Sequence, residues 1–147
     1  MIRNALLPPH GHSDVSLLRL RYTNLDFCKR HAKSINIPDA KYWGLGAILS
    51  KHIDLLNKKK EEIGITAKLV ATPLNESFNI INNIEVYTDT PGLPMHADLV
   101  YDEPMVKGEP ATSHRQYARE LLKVAKFKED IMPDTDKWQE KEFSFDA

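Results

Sequence analysis

Met95-His96-Ala97-Asp98-Leu99-Val100-Tyr101 alternates an apolar set, Met95, Ala97, Leu99 and Tyr101, with a second set, His96, Asp98 and Val100. Successive side chains of an extended chain point to opposite faces, so this period of two predicts a strand with one buried face and one mixed face. The preceding Pro91-Gly92-Leu93-Pro94 reads as a turn. Upstream, Ile65 to Thr72 shows the same alternation, with Ile65, Ala67, Leu69 and Ala71 against Thr66, Lys68, Val70 and Thr72. Pro73 stops it, because proline has no N–H to give to a sheet ladder.

Further out, the periods mix. Val15 to Thr23 interleaves Val15, Leu17 and Tyr22 with Arg19 and Arg21 and predicts a third strand. Asn24 can cap a short helix through Leu25, Phe27, Cys28 and Ala32 that ends before Ile35. Asp39 can cap the longest helix, in which Trp43, Ala47, Ile48, Leu49, Ile53, Leu56 and Ile63 recur at helical intervals, with Gly64 as its left-handed end. Gly44 and Gly46 weaken its first turns, so its start can lie later, or Tyr42 to Gly46 can be a loop approaching a ligand. Ile84 to Thr88 is favoured as a strand. After a proline-bracketed loop from Asp102 to Ala111, Ser113 and Gln116 have the spacing of a capping box for a helix from His114 to Phe127. Its buried stripe would be Tyr117, Leu121, Val124 or Leu122, and Ala125.

The expected architecture is α+β, a small sheet of three or four strands with about three helices packed mainly on one face. It divides into an N-terminal arm (1–14), one α+β domain (15–127) and an acidic, aromatic tail (128–147). The 147 residues suit a single core; 41% hydrophobic and 28% charged residues match ordinary globular composition. No apolar run approaches the ~20 residues of a membrane helix, and Pro8 and Pro9 cut short the opening apolar stretch, so no membrane segment or signal peptide is expected. A single cysteine, Cys28, cannot form an internal disulfide and agrees with a cytoplasmic location. The net charge of −1 argues against nucleic acid as a partner, and the last twenty residues alone carry a net −4.

Four groups of residues can carry chemistry. His10, His12 and Asp14 form an H-x-H-x-D run that resembles the metal motif of metallo-β-lactamase-type hydrolases. It departs from that motif at Val15, where the family has a further histidine. His96 and Asp98 project from the same strand face, so the carboxylate can orient the imidazole for base or ligand duty, with His114 as a further candidate catalytic group. Arg115 and Arg119 share a helix face near its N-terminus and, with Arg19 and Arg21, can bind an anion. Trp43, Trp138, Phe143 and Phe145 are candidate partner-binding aromatics. Gly-rich phosphate loops, cysteine pairs, G-x-S-x-G elbows and H-E-x-x-H helices are absent.

Leu17-Leu18-Arg19, then Leu93-Pro94-Met95-His96-Ala97-Asp98-Leu99-Val100 and a basic helix, resemble short uncharacterised bacterial proteins that carry a similar Pro-x-His-Ala strand. The resemblance implies a bacterial accessory protein and carries no activity with it. Two functions stay open on these residues. One is a small cytosolic accessory protein docking on a larger protein partner, with homo-oligomerisation also open. The other is a small hydrolase or transferase acting on a phosphate-bearing or nucleotide substrate, with His96 and Asp98 as acid–base pair and a metal at His10, His12, Asp14 and His96 as a variant. No cofactor is specified by either.

Overall fold

In a computed structural model the described residues are 6, 8, 11–35, 41–81 and 91–145. Along the chain run β1 (Asp14–Leu18), α1 (Leu25–Ser34), β2 (Gly44–Ala47), α2 (Ser50–Asn57), α3 (Lys60–Ile63), β3 (Ala67–Ala71), β4 (His96–Tyr101), α4 (Thr112–Val124) and β5 (Lys126–Glu129). The fold is α+β, built on a three-stranded antiparallel sheet of order β1-β4-β3 and a two-stranded antiparallel ribbon of β2 and β5. No helix among the described residues is long and apolar enough to cross a membrane.

The alternation in β4 decides where the core lies. Leu99 and Tyr101 point into it and are 0% and 2% exposed. They meet Tyr117, Ala118 and Leu121 from α4, Ile53 and Leu56 from α2, and Ile63 and Ile65 beside the α3 terminus. Tyr101 packs edge-on against Tyr117 at 5.4 Å between ring centres, a preferred aromatic geometry. The Tyr117 hydroxyl donates to Asn57 Oδ1 at 2.9 Å. Asn57 in turn bonds both the N–H and the carbonyl of Ala67, so one amide ties α2, α4 and the β3 edge together.

Local signals held where the chemistry is local. Asn24 Oδ1 accepts from the Phe27 amide at 2.8 Å and the helix ends before Ile35. Gly64 adopts φ +89° and closes α3 as a left-handed cap. Several expectations change. The first strand ends at Leu18, and residues 20–22 form a 3₁₀ turn. The long helix does not begin before Ser50, and Tyr42 to Gly46 is no ligand loop: Gly44 to Ala47 form β2. The glycines are needed there because a Cβ on Gly44 would strike the Lys128 carbonyl oxygen and one on Gly46 the Phe127 ring. Ser113 makes no capping box; the cap residue is Ala111, and Ser113 lies against Gly64 instead. Val124 is exposed, while its alternative Leu122 is partly buried against the core beside the buried Tyr117, Ala118 and Leu121 of α4. Asp39 and the stretch from Ile84 to Thr88 lie outside the described residues.

The chain after β5 folds back over α1. Lys29 and Asp130 form an ion pair at 2.8 Å with both side chains fully buried. The Lys29 ammonium also reaches the carbonyls of Met132 and Lys137 and the Thr135 hydroxyl, and the Tyr42 hydroxyl donates to Asp130 at 2.7 Å. Burial by itself would raise the Asp130 carboxyl. Hydrogen bonds from Lys29, Tyr42 and the Met132 amide outweigh it and hold the group below its ordinary range.

Candidate functional site

β4 turns His96 and Asp98 to the face opposite Leu99, and β3 supplies a third group, because Thr72 stands across from His96 and donates its N–H to the His96 carbonyl at 3.1 Å. The Thr72 hydroxyl donates to Asp98 Oδ2 at 2.9 Å and lies 2.8 Å from His96 Nδ1. His96 Nδ1 is also 3.1 Å from the Thr72 carbonyl oxygen. A hydroxyl has one proton, and here it goes to the carboxylate, while a carbonyl can only accept. Nδ1 must therefore carry a hydrogen, and Nε2 of the neutral ring is left as the acceptor. Nε2 sits 3.9 Å from Asp98 Oδ1, so protonation there would create an ion pair. The His96 and Asp98 side chains are 10% and 17% exposed.

His31 on α1 is close enough to feel this site. Its pKa is lowered, first by burial and second by the charge of His96, and its ring stacks on Phe27 at 6.2 Å. The cavity lined by Asn75, Glu76, Ser77, Ile81 and Pro91, about 330 Å³, includes none of the three residues Thr72, His96 and Asp98.

The other candidates lie elsewhere. His114 is buried, donates from Nε2 to the Glu103 carbonyl oxygen at 2.7 Å and packs 5.2 Å from the Tyr101 ring. Tyr101 ends the strand that His96 begins, and five residues of strand separate the two by roughly 16 Å. His114 therefore belongs to the core and not to the His96 cluster. His12 and Asp14 are exposed at that same far end, since Asp14 pairs with Val100 while Leu18 pairs with His96. The proposed metal set thus does not converge with His96. His10 lies outside the described residues, and no group of three or more His, Cys, Asp or Glu able to hold a metal occurs among the described ones.

The four arginines also divide. Arg19 turns back onto the start of β4, donating to the carbonyls of Pro94 at 2.8 Å and Met95 at 3.3 Å, and it lies over the Tyr22 ring with Arg21 nearby. Arg115 and Arg119 stand on α4, whose first turn abuts the Tyr101 end of β4.

Of the aromatics, Trp138 and Phe143 stack on each other, Lys128 covers the Phe143 ring, and Phe145 lies 6.0 Å from His52. All three tail aromatics are half-buried against the body. Trp43 remains 43% exposed, and its carbonyl accepts from the Asp130 amide at 2.9 Å. That bond brings Trp43 to the end of the ribbon from which Ile131 and Met132 continue, and these are 68% and 46% exposed. Sequence reading missed Thr72, Lys29, Asp130, Ile131 and Met132. Thr72 could be found only from the β3–β4 register, and Lys29 only from the route of the tail. Comparison of the chain with protein-family models, curated proteins and solved structures gave no match.

Proposed function

We propose that this protein is a small interaction module that presents Trp43, Ile131 and Met132 to a larger protein partner. The supporting observation is that these exposed apolar residues adjoin one end of the β2–β5 ribbon, on backbone anchored by the buried Lys29–Asp130 pair. Asp130 accepts from the Met132 amide through Oδ1 at 3.0 Å, closing a tight turn with Ile131 at its apex, and Lys29 grips the Met132 carbonyl at 2.8 Å. A side chain held in place before binding loses little freedom on docking, and tryptophan is among the residues that most often anchor interfaces. The tail aromatics pack instead on the body, Trp138 on Phe143 under Lys128 and Phe145 near His52. Ile131→Asp and Trp43→Ala are expected to change the unfolding free energy by less than about 1 kcal/mol, since both sites are exposed. They are expected to weaken capture of a stoichiometric partner by about tenfold or more. Equal retention of that partner by wild type and both variants would sink the reading.

The wiring of His96 favours a second reading, a small hydrolase or transferase on phosphate-bearing or nucleotide substrates. His96 Nε2 would be the base and Asp98, through Thr72, the group that holds the ring. Here His96→Gln should cut turnover of p-nitrophenyl phosphate or a nucleoside triphosphate by about a hundredfold or more with the fold intact. A wild-type chain without turnover, together with a lower melting temperature in His96→Gln, would mark the cluster as a clasp between β3 and β4.

A further inference from the structure

Val15 and Leu17 pack on the core, so strand alternation places Ser16 and Leu18 on the opposite face of the sheet, the face that carries His96 and Asp98. Ser16 pairs with Asp98 and Leu18 with His96. The Tyr101 amide bonds the Ser13 carbonyl and the Arg19 amide the Met95 carbonyl, so the odd-numbered residues of β1 carry the ladder and Ser16 with Asp98 is a non-hydrogen-bonded pair. Side chains of such pairs are closest, with Cα atoms about 4.5 Å apart. His96 is the diagonal neighbour of Ser16, at about 7–8 Å, a gap that an aromatic ring spans. Nδ1 of that ring faces Thr72 on β3, which directs Nε2 away from β3, and β1 is the strand on the other side of β4. Ser16 is exposed and its hydroxyl makes no hydrogen bond among the described residues. Its amide is also unbonded there, because the even-numbered residues of β1 turn their N–H groups to the open edge of the sheet.

A hydroxyl, a base on its diagonal and an unbonded amide on the same residue are the parts that acyl transfer requires. We infer that Ser16 is a nucleophile activated by His96 Nε2, and that this site cleaves small uncharged carboxylic esters. The inference takes His96 as the base of the second reading and goes beyond it in naming the attacking atom and the electrophile. Charge selects that electrophile. Asp98 adjoins Ser16, Asp14 follows on the same strand face, and Lys68 stands two strands away on β3, so this face is net negative while His96 is neutral. Arg19 is engaged by the carbonyls of Pro94 and Met95. A phosphate dianion would be repelled by Asp98, whereas a neutral ester finds the half-buried Leu18 and Val70 on this face.

In the first step His96 Nε2 takes the Ser16 proton as Oγ bonds the acyl carbon, and the carbonyl electron pair moves to its oxygen, which accepts from the Ser16 amide. The imidazolium so formed faces Asp98 Oδ1 at 3.9 Å. The C–O bond to the alcohol then breaks, and the alcohol leaves with the proton from Nε2. Water attacks the acyl-serine by the same route, losing a proton to Nε2, and the carboxylic acid departs as that proton returns to Oγ.

The probe is p-nitrophenyl acetate on the full chain. Wild type should release p-nitrophenolate in a burst and, when quenched in acid, carry an acetyl group on Ser16, located by peptide mass spectrometry. Ser16→Ala should remove the adduct and lower turnover by about a hundredfold or more, with an unchanged melting temperature because the side chain is exposed. His96→Gln should slow acetylation by about the same factor. Acetylation confined to other residues, or equal turnover by wild type and Ser16→Ala, overturns the proposal. If only His96→Gln lowers turnover, His96 activates water and the role of Ser16 falls while the base stands. If wild type cleaves p-nitrophenyl phosphate and leaves the acetate untouched, the base again stands and the ester assignment falls. With neither compound turned over, both readings of the site fall.

Discussion

Asp130→Ala is expected to cost about 3–5 kcal/mol, because it leaves the fully buried Lys29 ammonium without its counter-charge. Equilibrium urea unfolding checks this, and a loss below about 1 kcal/mol, the level of an exposed pair, would mean that the pair is solvated. Deleting the chain after Phe127 should do at least as much damage, since it removes Asp130, half of β5 and every acceptor that Lys29 uses. Tail removal is thus a test of folding before it is a test of partner binding.

The same carboxylate fixes a pH dependence. The folded-state pKa of Asp130 is depressed relative to the unfolded chain. Its contribution is then full above the ordinary carboxylate range and is lost as pH falls through the folded value. Melting temperature should therefore vary little between about pH 7 and 5 and fall below about pH 4. The acid-induced fall should be shallower in Asp130→Asn, which starts lower and has no carboxyl to protonate. Equal acid slopes in wild type and variant would assign the effect to other groups.

Leu99→Ala should be the second large loss, about 2–5 kcal/mol, from a cavity at the centre of the sheet. Its neighbour Val100, half-exposed on the other face, should cost under about 1.5 kcal/mol when truncated to alanine. The contrast reads the register directly: a one-residue slip exchanges the two faces, and comparable losses at both positions would contradict the β4 pairing.

Much of this fold could be read from the chain because its causes are local. The alternation in Met95 to Tyr101 and Ile65 to Thr72, the Asn24 cap and the Gly64 terminus depend on residues two to four positions apart. What misled was also local: the helical spacing from Trp43 to Ile63 ignores that Gly44 and Gly46 are shaped for Lys128 and Phe127, more than eighty residues away. The candidate site divides in the same manner. His96 and Asp98 share a face by strand geometry alone, whereas Thr72, which wires them together, joins only through the β3–β4 register.

The amino-acid sequence by itself determined an α+β chain with its core strand, the Asn24 and Gly64 caps and the placing of His96 and Asp98 on one face. Backbone sterics and side-chain period act within a few residues and leave a direct trace in the order of residues. Only the tertiary structure decided that β2 pairs with β5, that Lys29 meets Asp130 and that Trp43, Ile131 and Met132 come to one end of the ribbon. These rest on contacts between segments far apart in the chain, selected by the burial and hydrogen-bond satisfaction of the whole fold, which no local pattern encodes.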